Sequence, residues 1–355
     1  MMKLSYSSLL VSLALATVGS TYATEADVNK LAIQDPLPGK TAEHYPSPPS
    51  WDKLPDGVFG EKVVRGYKNF VDTQSLSPQY VGNGLNCVNC HSDAGRKENA
   101  APLWAAYMSY PAFRSKNNKI NSFEERMQGC FLYSMNGSPP DYGADALVDL
   151  SAYAYWLAQG TLTGADFDPA DMEVPSDAEL LKGGKRDDFP FMKAYLEAGG
   201  SKEPELPGRA YPKAPEPEQT PDIARGKTVF EQECSVCHGV NGEGQKVNDR
   251  YVFPPLWGPN TYNWGAGMHR VNTAANFIQH NMPLGQPGKL TDQQAWDVAT
   301  YINSRDRPQD PRNKGDVQET REQFHKHNVE IYYGKEVDGK VLGSESFPNH
   351  PNKVL

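Results

Sequence analysis

No stretch of this 355-residue chain is apolar for long enough to cross a membrane, which removes one large class of functions. The one candidate, Leu9 to Val18, falls short of the about 20 residues that a span needs. Positive charge is also in deficit. Lys and Arg number 35 against 44 Asp and Glu, a net charge of -9 at pH 7, which excludes nucleic acid and acidic membrane surfaces as natural partners. Cysteine is scarce: there are five, and two short motifs use four of them, so only Cys130 is left over. What remains is ordinary for a soluble protein, 38% hydrophobic and 22% charged residues, in a chain long enough for two domains.

The two motifs are Cys87-Val88-Asn89-Cys90-His91 and Cys234-Ser235-Val236-Cys237-His238. Cys-x-x-Cys-His is the attachment pattern of c-type haem: the thiols add across the haem vinyl groups and the histidine reaches iron from the proximal side. Two such motifs predict two covalent haems, held by Cys87, Cys90 and His91 and by Cys234, Cys237 and His238. A zinc ribbon is the rival, but it would not place His directly after the second Cys in both copies. A cytosolic thioredoxin-like reading is the other. Against it stands the N-terminus, where Lys3, the apolar Leu9 to Val18 and the small residues of Thr21-Tyr22-Ala23 form a secretory signal with cleavage expected after Ala23. Export to a periplasm suits c-type haem, which is attached outside the cytoplasm.

An internal repeat surrounds the motifs. Arg65-Gly66-x-x-x-Phe70 precedes the first and Arg225-Gly226-x-x-x-Phe230 the second, with Gly and Phe on one helical face. A small residue there permits close crossing by a later helix. Leu147, Leu150, Ala154 and Leu157 supply one such partner, flanked by Tyr153 and Trp156 as core around the haem. A Thr291–Gln294 capping box starts the other, through Ala295, Trp296, Val298, Ala299 and Ile302. Prolines from Pro204 to Pro221 mark a semi-rigid linker. The expected fold is mainly α: a signal peptide (1–23), a cytochrome c-like class I domain (24–162), a linker (163–220), a second such domain (221–312) and a C-terminal extension (313–355) wrapped on the surface.

Distal ligands separate the two halves. Met282 in Asn281-Met282-Pro283, 44 residues after His238, is the favoured ligand in the second; Met268 is the alternative. Thioether ligation raises the reduction potential. No equivalent Met-Pro loop exists in the first half, which offers Cys130, 39 residues after His91, with Met127 and Met135 as alternatives. A Ser122–Glu125 capping box predicts a helix from Phe123 toward Met135, placing Arg126, Cys130 and Ser134 on one stripe. A guanidinium one turn away favours thiolate over a buried neutral thiol. Thiolate ligation lowers the potential, so electrons would run from the first haem to the second. Between His91 and Cys130, Arg96, Lys97, Arg114, Lys116, Lys119 and Arg126 outnumber the nearby acids and could focus a small anion.

These segments resemble the dihaem thiosulfate dehydrogenases, which form tetrathionate. Gly84 through Lys97, Glu125-Arg126-Met127-Gln128-Gly129-Cys130-Phe131, Ser134-Met135-Asn136-Gly137, Phe253 through Pro259, Gly265-Ala266-Gly267-Met268 and Asn281-Met282-Pro283 carry the likeness. The resemblance implies an oxidoreductase with His91/Cys130 ligation of a catalytic haem and His238/Met282 ligation of the second. It also implies a substrate site made by Arg126 and Ser134, with Lys116 where an arginine is usual and Arg114 as its substitute. Asn281 stands where some relatives have a lysine that exchanges with the distal Met. Thiosulfate and tetrathionate are then the substrates, and a small periplasmic cytochrome c the electron acceptor. Two other classes fit the motifs alone: a dihaem electron-transfer cytochrome without a substrate, and a sulfur-carrier subunit of a thiosulfate-oxidising multienzyme complex.

Overall fold

A glycine sets the contact between the two helices that frame the first motif. The computed structural model describes residues 48–114, 117, 119–159, 211–325 and 331–349; the expected signal peptide, most of the expected linker and Lys116 lie outside them. The helix Gly57–Val71 packs on the helix Asp145–Leu157. At the crossing, a Cβ on Gly66 would lie 2.0 Å from the Asp149 carbonyl oxygen and 2.8 Å from Tyr153 Cβ, so no larger residue fits. Arg65 locks the pair by donating from Nε to Asp149 at 3.0 Å. Leu147, Leu150, Ala154 and Leu157 are all buried, as their periodicity requires. Trp51, Tyr67, Tyr153 and Trp156 stack around them, and Phe70 brings its ring 6.0 Å from that of His91.

The second half repeats this crossing almost atom for atom. Helix Ile223–Val229 meets helix Asp292–Asn303, and a Cβ on Gly226 would lie 2.0 Å from the Asp297 carbonyl oxygen and 2.8 Å from Tyr301 Cβ. Arg225 Nε donates to Asp297 at 2.7 Å. The common element is Arg-Gly on one helix against Asp-x-x-x-Tyr on the other. Both expected capping boxes form, at Ser122–Glu125 and Thr291–Gln294. Beyond the helices there are only three two-stranded hairpins among the described residues.

The halves are not separate lobes. Gly84 N–H donates to the Asn260 carbonyl at 3.0 Å, Arg250 pairs with Asp72 at 2.6 Å, and the described residues all fall in one compact unit. Two expectations change. From Tyr211 onward the supposed linker is already packed, with Ala214 in the second core and the Pro215 carbonyl accepting from Trp296 Nε1 at 2.8 Å. The C-terminal extension is more than a surface wrap: Ile331, Tyr333 and Leu342 form a core with Trp264. Nonlocal burial is the reason for both, since neither segment carries a strong periodic pattern.

A buried polar knot fastens this extension. Asp310 accepts from His325 Nε2 at 2.9 Å and from Arg312 Nη2 at 2.6 Å, with the Asp310 side chain fully buried. Those two partners hold the Asp310 carboxyl well below the usual carboxylate range against the opposing effect of burial. A depressed folded-state pKa contributes stability above the unfolded value, about 3.9, and loses it as pH falls below that. Asp310→Asn should therefore lower stability at pH 7 and flatten the acid limb of the stability curve, measured by urea unfolding from pH 7 down to pH 3.

Candidate active site

Each motif histidine is oriented by one backbone carbonyl. His91 Nδ1 bonds the Ala101 carbonyl at 2.5 Å, and His238 Nδ1 bonds that of Pro254 at 2.8 Å. Burial lowers both imidazole pKa values, so each ring is neutral with its proton on Nδ1, and Nε2 presents a lone pair for iron. Such a tautomer is what an axial ligand needs. None of the five cysteines is in a disulfide, and burial pushes Cys87, Cys90 and Cys234 up to about 12. Among the described residues no group of three or more His, Cys, Asp or Glu side chains is placed to hold a metal ion. The residues present fit covalent haem at both motifs.

Backbone strain collects beside the first motif. Asp93, Ala94, Asn99 and Ala101 all have φ between 49° and 60°, a region that costs non-glycine residues about 1–3 kcal/mol each. Tyr153 holds the turn by donating its hydroxyl to the Ala94 carbonyl at 2.8 Å, and Ala101 is the residue whose carbonyl orients His91. The closing helix of the first half thus fixes the loop that aims the proximal histidine.

Arg126 and Cys130 meet as the sequence predicts. Arg126 Nη1 donates to Cys130 Sγ at 2.9 Å, and the sulfur is the leading cause of the raised Arg126 pKa. Arg126 lowers the pKa of His91, while Cys130 raises those of Cys87 and Cys90, which puts the pair within electrostatic reach of the first attachment motif. The expected continuous helix does not form. An α-helix spans Phe123–Gly129 and then widens into a π-helical turn, Cys130–Ser134. Donors from outside the helix bond the carbonyls of residues 132–134. Ser134 ends this turn, and its hydroxyl makes no hydrogen bond to the Cys130 sulfur.

Other expectations divide. Arg96 serves the fold, donating to the carbonyls of Pro48 and Pro49 and lying over Trp156. Arg114 lies within electrostatic reach of Arg270 from the second half, a residue that sequence reasoning missed. Tyr211 was missed as well: its hydroxyl donates to the Cys90 carbonyl at 3.1 Å, and the Cys90 and Cys130 sulfurs add to the burial that pushes it well up. No local signal could have found it in a proline-rich run. Met282 follows the helix Val271–Asn281 and packs against the second core, as does Met268. Asn281, just before Met282, donates to the Asn99 carbonyl in the strained loop of the first half at 3.2 Å.

A neutral, carbonyl-oriented histidine next to two unpaired thiols defines a c-type cytochrome, and the cytochrome c family matches residues 223–306. More specifically, the chain belongs to the thiosulfate dehydrogenase family. It is 45% identical over 337 residues to thiosulfate dehydrogenase of Stutzerimonas stutzeri strain A1501, covering 94% of this chain and 97% of that one. Identity to thiosulfate dehydrogenase of Thiomonas intermedia strain K12 is also 45%, over 302 residues, 85% of this chain and 83% of that one. A solved thiosulfate dehydrogenase of Marichromatium purpuratum, in its as-isolated form, superposes with a TM-score of 0.72 at 41% identity. That alignment covers 86% of this chain but 59% of the other, so the chain spans only part of that larger protein.

Proposed function

We propose that this chain is an exported enzyme that joins two thiosulfate ions into tetrathionate, built from two cytochrome c-like domains (24–162 and 221–312) with one haem each. The observation that carries the reading is the 2.9 Å bond from Arg126 to Cys130, within electrostatic reach of the Cys87–His91 motif. His91 and Cys130 would hold the iron of the first haem and His238 and Met282 that of the second. Haem bound there would supply one-electron acceptance at the first site and, through the second, an outlet to a small periplasmic cytochrome c. Everything else is electrostatics.

Two thiosulfate dianions lose one electron each as their outer sulfurs bond, and no proton is gained or lost. The reaction therefore asks for no general base; it asks for cations that offset the repulsion of two dianions. Arg126 faces the sulfur of Cys130 and holds a sulfonate there, with Lys116 or Arg114 as the second cation and the Ser134 hydroxyl as a donor. Cys130 would set the potential as a ligand or, released, would bond the outer sulfur of one thiosulfate with loss of two electrons, the second thiosulfate then displacing the thiolate to give tetrathionate. Tetrathionate reduction is the same reaction reversed and uses the same groups.

Arg126→Ala should lower kcat/KM for thiosulfate about 10²-fold, the scale of a charge-assisted hydrogen bond. Arg126→Lys should recover only part of this, because a point charge lacks the planar fork. Steady-state assays with ferricyanide as acceptor measure both, and activity within twofold of wild type in Arg126→Ala would remove Arg126 from the site.

A further inference from the structure

The π turn at Cys130 ends its helix at Ser134, and the last carbonyls of a helix need partners from elsewhere. Cys130 C=O accepts from Met135 N–H at 2.9 Å and Phe131 C=O from Gly137 N–H at 2.9 Å. The carbonyls of Leu132, Tyr133 and Ser134 are met from outside the segment. Asn263, from the second half, takes two of them: its Nδ2 donates to Leu132 C=O at 2.9 Å and its backbone N–H to Tyr133 C=O at 3.2 Å. Asn83, just before the first motif, takes the third, with Nδ2 to Ser134 C=O at 2.8 Å.

The two asparagines are built alike. Each uses Oδ1 to accept the N–H two residues on, Leu85 for Asn83 at 3.1 Å and Gly265 for Asn263 at 3.0 Å, which fixes the amide plane. Each splits its Nδ2 between two acceptors in different parts of the chain. Asn83 reaches Ser134 and, across the interface, the Thr261 carbonyl at 3.0 Å; Asn263 reaches Leu132 and the Asn136 side chain at 3.1 Å. Both are buried, Asn263 completely. Gly265 completes the fit, since a Cβ there would strike the Tyr133 ring. The second half thus holds the segment that carries Cys130 from outside.

The geometry points to Asn83 and Asn263 as a pair of positioning residues that clamp the Cys130–Ser134 turn and so set how firmly Cys130 is presented to the first haem. This rests on the reading of Cys130 as that haem's distal ligand. Together the two asparagines take the last three carbonyls of the turn and tie it to both sides, so losing either loosens the segment that begins at Cys130. Sulfur ligation in the first half is then conditional on docking of the second half, through contacts that touch neither haem motif nor substrate.

The test uses holoprotein carrying Asn263→Ser, Asn83→Ser or both. Serine keeps an oxygen near the i+2 N–H but is too short to reach the π-turn carbonyls. Imidazole is titrated against the ferric protein, with low-spin electron paramagnetic resonance following the thiolate-ligated haem and the methionine–iron charge-transfer band following the other. Each lost neutral hydrogen bond should lower the imidazole midpoint at the first haem about fivefold, and the double variant should lower it further. The midpoint at the methionine-ligated haem should stay at its wild-type value. An unchanged midpoint at the first haem, or equal shifts at both haems, would overturn the clamp, the second outcome marking a general loosening. A wild-type protein without any thiolate signal would instead overturn the ligation reading itself.

Discussion

Cys130→Gly is expected to lose thiosulfate oxidation by on the order of 10³-fold or more in kcat, while both haems stay covalently attached. Cys130 belongs to neither attachment motif, so haem incorporation does not depend on it. Its sulfur is the acceptor for Arg126 and the charge that most strongly raises the Arg126 pKa. Removing it leaves Arg126 without that partner and, on the proposed ligation, the first haem without its thiolate. Glycine in a helix costs about 1 kcal/mol relative to alanine, so Cys130→Ala, expected to be equally inactive, separates chemistry from helix propensity. Turnover within a few-fold of wild type in the alanine variant, at full haem content, would leave Cys130 as a structural thiol.

Gly66→Val and Gly226→Val should each unfold the helix pair in which they lie, at a cost of about 3 kcal/mol or more. Both sites place a backbone carbonyl 2.0 Å from where the Cβ would be, and backbone cannot move aside as a flexible side chain can. The carbonyls that block the way belong to Asp149 and Asp297, which Arg65 and Arg225 hold in place. The effects should also be local: Gly66→Val should lose the thiolate-ligated spectrum first, and Gly226→Val the methionine band. Thermal melts followed at both signals measure this, and wild-type melting in either variant would contradict the account of the crossing.

Much of this was legible because it is local. The haem motifs, the Gly-x-x-x-Phe faces, the stripe of Leu147 to Leu157 and both capping boxes are read within one element, and each stands where its spacing puts it. Arg126 and Cys130 met because they are one turn apart before the register changes. The contacts that hold the π turn were not legible, since Asn263 lies more than a hundred residues from the carbonyl it takes. Tyr211 and the core of Ile331, Tyr333 and Leu342 were hidden for the same reason: burial by distant partners leaves no period in the sequence. The carbonyls of Ala101 and Pro254, which orient the two histidines, carry no side-chain signature at all.

The central claim is that this chain itself joins thiosulfate. Purified wild-type protein, fully loaded with haem, is mixed with thiosulfate and ferricyanide, and both tetrathionate formed and acceptor reduced are quantified. The account predicts one tetrathionate for every two electrons delivered. A haem-replete protein that neither forms tetrathionate nor reduces it would contradict it.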